Sequence, residues 1–560
     1  MQKISALMAG LVLAICGGVA AAQVQLPQAV QAAADSISAD KIRDHVRILS
    51  SDEYEGRGPG LKGGQMAATY IAKQFASYGL VPAGDKGTFL QNIAFAGVET
   101  NGAATNFAII SHNGSVLDLK FGKDYVTSNQ TRTEIADIDA PIVFVGHGIQ
   151  APEYKWDDFA GMDVKGKVLL VVVNEPPSDD DAFFKGKALT YYGRWTYKFE
   201  QAARMGAVGV LIIHRTDLAS YPWEVVRNSW SGEKSYLRDD PNAKLKAASW
   251  IHLDVARKLF AASGMDLDKE IAASDQPGFK PVELPARLKA HIVSKVRNFD
   301  SPNVVGMLPG QSKGHGPDQA VLYTAHYDHF GIDPELPSNG KGDNIYHGAA
   351  DNATGCAILM ELARVFVQMK TPPPHSFIFA AVTAEEQGLL GSQYLGMHPP
   401  VPASQISLDL NYDDLPPIGE AMSTEVAGAE RTTFYPTVEK TAKAFHFDIE
   451  PDPFPMAGSY YRSDHFSLAR VGIPAFSIGE GVLFAGHTKE WGIEQEKQYT
   501  AERYHKPADR YTPDMDFAGD MKMAKFGLVL GWQASNAPSL VQWLAGDEFE
   551  KARKQRTSGN

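Results

Sequence analysis

Cysteine is nearly absent from this chain, which has two in 560 residues, Cys16 and Cys356. Residues 1–22 contain one early cation, Lys3, then an apolar run and three alanines at 20–22, an order typical of a cleavable secretory signal. Cleavage would remove Cys16, so no internal disulfide is expected and Cys356 should be a buried apolar side chain. We therefore predict an exported bacterial protein without disulfides, either periplasmic or secreted.

The chain also lacks an excess of positive charge. Lys and Arg number 53 against 66 Asp and Glu, which gives a formal net charge of −13. Without a basic stripe, nucleic acid and anionic lipid are not expected partners. After residue 22 no stretch is long and apolar enough to predict a membrane span. The length allows two or three domains.

Imidazole and carboxylate groups follow two of the apolar runs that the chain does contain. The run 320–325 leads to His326 and Asp328, and the run 377–384 leads to Glu385 and Glu386. In open α/β sheets, functional groups lie outside the carboxyl ends of the strands. Acidic and imidazole groups gathered there repel or protonate one another unless a cation holds them. The two strand ends together predict a metal site, and nitrogen with oxygen ligands suits zinc or a similar first-row ion.

Seven motifs together resemble the M28 family of co-catalytic zinc peptidases, which includes bacterial leucyl aminopeptidases and glutamate carboxypeptidases. They are AHYD at 325–328, GAADNATG at 348–355, TAEEQGLLGS at 383–392, LNYD at 410–413, RSDHF at 462–466, GIPA at 472–475 and YHKPAD at 504–509. The resemblance covers nearly all of the chain after residue 22. It implies an α/β fold of the zinc aminopeptidase (phosphorylase/hydrolase-like) type, with a mixed central sheet flanked by helices.

The resemblance also implies a ligand set for two Zn²⁺ ions, although other divalent first-row metals would fit. Asp351 would bridge the two ions, with His326 and Asp413 completing one and Glu386 and His505 the other. Asp409 is the alternative to Asp413, because both residues project from the same face of one predicted strand. Asp413 is preferred, since it alone lies at the carboxyl end of that strand.

The remaining roles come from the same resemblance. Glu385 would be the general base acting on a metal-bridging hydroxide, the nucleophile. Tyr504 would stabilise the oxyanion and Asp328 would orient His326. Arg462 would contact the substrate. A cis peptide bond is expected after the bridging aspartate, Asp351.

The pattern of apolar residues changes near residue 136. The runs 141–145, 167–173 and 208–213 are typical of buried strands. Residues 143–148 and 198–207 resemble the protease-associated (PA) domain inserted in many M28 peptidases. The aromatic segment 191–197 could line the active-site mouth or belong to the core of this insert, and both interpretations stay open.

The predicted organisation is therefore a signal peptide, a catalytic domain interrupted by a small α/β insert, and a tail. The divisions are 1–22 for the signal, 23–135 for the first part of the catalytic domain, 136–287 for the PA insert, 288–547 for the catalytic domain with the metal site, and 548–560 for a frayed polar tail. The glycine-rich stretch 56–63 follows no predicted strand, so it is interpreted as a structural connection and not as a phosphate loop.

The favoured function is an exported di-zinc aminopeptidase that hydrolyses N-terminal residues from peptides. A carboxypeptidase of the glutamate-releasing type on the same scaffold is the alternative, but it needs several basic groups and Arg462 alone is apparent. A non-catalytic binding relative is disfavoured because all six metal-and-base positions are intact: His326, Asp351, Glu385, Glu386, Asp413 and His505.

Overall fold

The computed structural model describes residues 26–219, 221–311, 319–333, 336, 344–452 and 455–557. The predicted signal peptide, with Cys16, lies outside the described residues. Within the described part of the chain, the helices are all too short or too polar to cross a membrane.

The sheet that positions the site is built around parallel strands. Its order is Ala475–Ser477, Ile406–Asn411, Ala320–His326, Ser376–Val382 and then the C-terminal part of Val282–Leu308. The first four strands run parallel, whereas Val282–Leu308 pairs antiparallel with its neighbour. Every residue of the central strand Ala320–His326 is buried, as expected for a strand covered on both faces. The predicted mixed sheet is confirmed.

Helices cover both faces of this sheet. Val321, Tyr323 and Ala325 point into one core, which the helices Ala39–Leu49 and Gly355–Gln368 complete. The alternate residues Ala320 and Leu322 point into a second core on the other face. Within the described ranges, the α-helices are Gln28–Asp35, Ala39–Leu49, Lys62–Tyr78, Trp195–Arg204, Thr216–Ala219, Trp223–Ser231, Leu253–Ala262, Leu267–Ser274, Gly355–Gln368, Leu390–Met397, Tyr435–Ala444, His465–Arg470, Lys489–Glu502, Ala518–Ser535 and Glu550–Thr557.

A second group of strands continues from the same long strand. Ile135–Phe144 pairs antiparallel with the N-terminal part of Val282–Leu308 and parallel with Val168–Val172. The order then runs through Gly209–Ile213 and Ala247–Ile251 to Tyr125–Ser128. The remaining strands of more than two residues are Leu90–Thr100, Asn106–Ser111, Val116–Asp118, Lys234–Leu237 and Ser423–Glu425.

These pairings bear on the predicted limits of the insert. Val143 and Val210 pair within the second group, and not with Ala320–His326. However, Tyr125–Ser128 precedes residue 136 and pairs with Ala247–Ile251. Val282–Leu308 runs across residue 287 and makes the two groups one continuous sheet. Neither limit therefore coincides with a break in strand pairing, and the division into domains stays a prediction.

Most of the segment 548–560, which was expected to be a frayed polar tail, is ordered within the described residues. Residues Glu550–Thr557 form a helix, and Arg553 is 2% exposed. Its Nη1 donates hydrogen bonds to the carbonyls of Ala403 and Ile406, both at 3.0 Å. The expectation was wrong because polar composition does not reveal a buried arginine that is held by specific backbone acceptors.

The aromatic segment 191–197 packs partly within the second group of strands and partly against the helix His465–Arg470, and none of its residues is among those that line the cavity at the candidate site. The ring of Tyr192 packs on Tyr197 within the second group, with centroids 5.1 Å apart. The ring of Tyr191 instead contacts Phe466 at 4.9 Å, and the Arg470–Glu200 ion pair at 2.7 Å lies beside it. Tyr191 therefore joins the second group of strands to the helix His465–Arg470.

Candidate metal centre

A cavity of about 800 Å³ opens at the carboxyl ends of the parallel strands. His326 ends the central strand, Glu385 follows Ser376–Val382 and Asp413 follows Ile406–Asn411, and all three line this cavity. The position agrees with the general placement of sites in open α/β sheets. The strand ends that the sequence singled out therefore meet in space.

One group of ligand atoms surrounds His326, which is 1% exposed. Its Nε2 lies 3.0 Å from Asp413 Oδ1 and 3.2 Å from Asp351 Oδ1. Ser463 donates a hydrogen bond to the other oxygen of Asp413 at 2.5 Å, which fixes the orientation of that carboxylate. The atoms of His326, Asp351 and Asp413 are close enough to share one metal ion.

A second group forms on the other side of Asp351. His505 Nε2 lies 3.2 Å from Asp351 Oδ2 and 3.3 Å from Glu386 Oε2. Asp351 therefore presents Oδ1 to the first group and Oδ2 to the second. This is the arrangement required of a carboxylate that bridges two ions.

His329 belongs to the second group and was missed at the sequence level. It is fully buried, and its Nδ1 lies 2.5 Å from Glu386 Oε1. Its ring offers a ligand atom close to those of Asp351 and Glu386. The sequence does place a histidine here, since His329 directly follows Asp328, but the family motif AHYD ends at residue 328.

Electrostatics favour a cation between these groups. Burial, together with the charge of Asp413, raises the pKa of Glu385 well above its usual value. Burial and the charges of Asp351 and Glu385 do the same for the pKa of Glu386. Burial alone would lower the pKa of His326, but the Asp413 and Glu385 charges outweigh it. Imidazole nitrogens and crowded carboxylates are the donor set of zinc, so the residues fit the metal that the family implies.

Glu385 is placed differently from the ligand candidates. Its Oε2 lies 3.9 Å from His326 Nε2, and it belongs to neither group of converging ligand atoms. Its backbone N–H donates to Asp328 Oδ1 at 3.1 Å. A carboxylate that lies beside the candidate ligands, but is not one of them, would be free to move protons.

The other predicted residues also reach the site. Asp328 is nearest to His326 through its carbonyl oxygen, 3.2 Å from Nδ1, whereas its carboxylate is 3.7 Å away. Tyr504 stacks on His505 with ring centroids 3.8 Å apart, and Tyr504 and Arg462 both line the cavity. Burial raises the pKa of Tyr504 well above its usual value, so its hydroxyl remains a donor. Asp409 lies within the sheet and accepts a hydrogen bond from Thr324 at 3.1 Å.

Arg57 is the main supporting residue that sequence reasoning overlooked. It lies in the glycine-rich stretch 56–63, has no exposed surface and spreads its guanidinium over four carbonyls. Nε donates to Tyr327 O at 2.6 Å, Nη1 to His347 O at 2.5 Å and to Leu49 O at 2.8 Å, and Nη2 to Gly348 O at 2.8 Å. Arg57 therefore ties the segment of His326 to the segment of Asp351.

Asp509 holds the Asp351 segment from the other side. Its Oδ2 accepts hydrogen bonds from the backbone N–H groups of Ala350 and Asp351, both at 3.1 Å. The peptide bond Asp351–Asn352 is cis, as the family resemblance predicted. Asn352 Nδ2 donates to the carbonyl of Tyr412 at 2.9 Å and so connects this turn to the segment of Asp413.

Comparisons with known proteins agree with this geometry. Residues 303–526 match the family model of Peptidase family M28. A probable zinc metalloprotease of Pyrenophora tritici-repentis is 37% identical over 93 residues, which is 17% of this chain and 20% of that protein. An aminopeptidase of Rattus norvegicus is 32% identical over 123 residues, which is 21% of this chain and 14% of that protein. The matched part thus spans a fifth or less of each of these curated relatives.

A solved structure extends the likeness to most of the fold. The aminopeptidase from Aneurinibacillus sp. strain AM-1 superposes with a TM-score of 0.50 at 19% identity, covering 90% of this chain and 96% of that chain. At this identity the likeness concerns the fold alone. Residues 303–526, the part that matches the model of Peptidase family M28, hold all five predicted ligands.

Proposed function

We propose that this chain is an exported di-zinc aminopeptidase that removes N-terminal residues from peptides. The observation that carries the proposal is the position of Asp351, whose two oxygens face His326 on one side and His505 on the other at 3.2 Å each. The match of residues 303–526 to Peptidase family M28 supports the reaction class. Export rests on the signal-like residues 1–22, and the PA insert at 136–287 rests on its resemblance to that domain.

The ligand atoms divide between two sites. His326, Asp351 and Asp413 would hold one zinc ion, and Asp351, Glu386 and His505 the other. Zinc bound there would supply Lewis-acid polarisation of a water molecule and of the scissile carbonyl. His329 would orient Glu386 through its contact with Oε1, and Asp328 would orient His326 through its carbonyl oxygen.

The protein's own groups then move the protons. Glu385 takes a proton from the attacking water as its oxygen bonds to the carbonyl carbon. Tyr504 donates its hydroxyl hydrogen bond to the carbonyl oxygen as that oxygen becomes negative. Glu385 then passes the proton to the leaving nitrogen as the C–N bond breaks, which regenerates the carboxylate.

The charge of the cavity favours an amino-terminal substrate. Beyond the metal centre, further carboxylates line the cavity, among them Asp452, Glu502, Asp514 and Asp516. Such a field attracts a substrate ammonium and repels a free carboxylate. The excess of acid therefore favours an aminopeptidase over a carboxypeptidase.

One observation keeps the carboxypeptidase as a second candidate. Arg462 and Arg503 both line the cavity, so more than one basic group is available to a substrate carboxylate. In addition, Arg194 is near Arg462: burial lowers the pKa of Arg194 to about 10, and the charge of Arg462 adds to the effect.

A substrate panel separates the candidates. We expect the zinc-loaded protein to cleave amino-acid anilides, such as leucine anilide, and to leave N-acetylated dipeptides intact. Glu385→Gln is the control for cleavage by a contaminating peptidase. Hydrolysis of N-acetylated dipeptides ending in glutamate, without anilide cleavage, would establish the carboxypeptidase instead. If protein with verified zinc content cleaved neither class of substrate, the chain would instead be a non-catalytic binding relative.

A further inference from the structure

His505 is the most exposed of the five predicted zinc ligands. The exposed fraction of its side chain is 36%, against 16% for Asp413 and at most 4% for the other three. Its backbone φ is +55°, in the left-handed region that residues with a side chain seldom adopt. Burial therefore does little to hold this ring in the direction that metal binding requires.

The ring of His505 also lacks the hydrogen bond that usually orients a metal-binding imidazole. Such histidines commonly donate their second N–H to a carbonyl or a carboxylate. His326 follows this rule, since its Nδ1 lies 3.2 Å from the Asp328 carbonyl oxygen. The Nε2 of His505 faces Asp351 and Glu386, but its Nδ1 has no hydrogen-bond or ion-pair partner in the described part of the chain.

Two aromatic rings pack against the His505 imidazole instead. Tyr504 stacks on it, with ring centroids 3.8 Å apart and the planes at 23°. Phe330 meets it in a T-shaped arrangement, with centroids 4.8 Å apart and the planes at 71°. The ring of Phe330 also lies 4.9 Å from that of His329, whose Nδ1 contacts Glu386. Stacked and T-shaped pairs are the favourable arrangements of aromatic rings, so Phe330 supports both histidines beside Glu386.

Phe330 is itself held by a short hairpin. The strand Gly331–Ile332 follows it and pairs antiparallel with Ile345–Tyr346. The ring of Tyr346 packs on Phe330 with centroids 5.5 Å apart. On the other side, Gly56 has φ +66°, and a Cβ there would lie 2.4 Å from the carbonyl oxygen of Gly331. The hairpin therefore rests directly on the backbone at Gly56, which fixes the position of the Phe330 ring.

The hydrophobic cores of the described residues do not include Phe330. Its side chain is 38% exposed, and besides Tyr346 its ring contacts are to His329 and His505. A change at this position should therefore affect the two imidazoles more than the fold. This separation makes the contribution of the ring measurable.

We propose that Phe330 is a positioning residue of the metal centre: together with Tyr504, its ring holds His505 so that Nε2 faces Asp351 and Glu386. The inference rests on the proposed zinc centre and deepens it. It concerns the one zinc ion that Asp351, Glu386 and His505 would hold.

The other zinc ion should not depend on Phe330. Its predicted ligands His326 and Asp413 are oriented by hydrogen bonds, with the Asp328 carbonyl and with the Ser463 hydroxyl. The aromatic contacts of Phe330 include neither of them. A loss of affinity confined to one of two ions is therefore the expected signature of this residue.

The test compares the full-length wild type with Phe330→Leu, which keeps apolar bulk but removes the ring. Zinc affinity is measured by competition with a chromogenic chelator. We expect Phe330→Leu to bind one zinc ion as the wild type does and the second at least about tenfold more weakly, since outer contacts of a metal ligand commonly contribute 10–100-fold. Phe330→Tyr keeps the ring and should retain the second ion.

A matched control is available on the same hairpin. Ile332→Ala removes an apolar side chain that is 43% exposed, and it should bind both zinc ions as the wild type does. Cobalt provides a second readout, because its visible absorption reports the arrangement of its ligands. The spectrum of the second cobalt equivalent should change in Phe330→Leu and stay unchanged in Ile332→Ala and Phe330→Tyr.

Three results would overturn the positioning role. They are unchanged affinity of Phe330→Leu for both zinc ions, equal weakening of both ions, and a Phe330→Tyr protein that binds as weakly as Phe330→Leu. A wild type that binds fewer than two zinc ions would instead refute the proposed metal centre, and the inference with it. The zinc content of the wild type thus distinguishes the two failures.

Discussion

Replacement of Arg57 by lysine tests how the metal centre is held. Lys keeps the positive charge but concentrates its donors at one point, whereas the guanidinium of Arg57 bonds to four carbonyls in three segments. An ammonium at this position can reach about two of them. Hydrogen bonds from a charged donor contribute about 1.5–3 kcal/mol each, so the loss of two should lower the free energy of unfolding by about 3 kcal/mol or more.

The same change should weaken zinc binding, because the carbonyls of Tyr327 and Gly348 flank His326 and lie close to Asp351. Zinc affinity is measured by competition with a chromogenic chelator, and stability by urea denaturation of the zinc-free protein. We expect at least about a tenfold loss of zinc affinity, since a displaced ligand shell commonly costs 10–100-fold. The matched control is Arg43→Lys, the same substitution at a helix-surface ion pair with Asp40. Unchanged zinc affinity and unchanged stability in Arg57→Lys would refute the reasoning.

Two further predictions concern single residues. Glu385→Gln should keep both zinc ions and lose most of its turnover, whereas Glu386→Gln should lose one zinc, and the opposite metal contents would show that the two roles are reversed. Burial lowers the pKa of His45 from 6.5 to about 4, so its protonation favours the unfolded chain. Stability should therefore fall by up to about 3 kcal/mol between pH 6.5 and pH 4, and His45→Gln should lack this component in urea denaturation at a series of pH values.

Part of the site could be predicted from the sequence because His326, Glu386 and Asp413 lie at or just after strand ends. Apolar runs fix where the strands stop, and the parallel arrangement brings those ends to one edge of the sheet. Alternation placed Asp409 and Asp413 on the same face of one strand, and the strand's carboxyl end distinguished Asp413; the structure places Asp409 within the sheet. Periodicity of this kind can be read from a single sequence.

Long-range partners could not be predicted in this way. Three of the four carbonyls that Arg57 contacts lie 270 to 291 residues away, and a backbone acceptor leaves no trace in the sequence. The hydrogen bonds from Arg553 to the carbonyls of Ala403 and Ile406 could not be predicted for the same reason. Likewise, the strand Val282–Leu308 joins two groups of strands by pairing with distant segments, which its own sequence does not reveal.

The proposed function requires two metal ions that share Asp351. Elemental analysis of the purified protein, combined with leucine anilide hydrolysis, measures this without further assumption. We predict two zinc ions per chain in the wild type, loss of activity on chelation with recovery on adding zinc or cobalt, and weakened binding of both ions in Asp351→Asn. Full activity in metal-free protein, or two firmly held zinc ions in Asp351→Asn, would contradict the account.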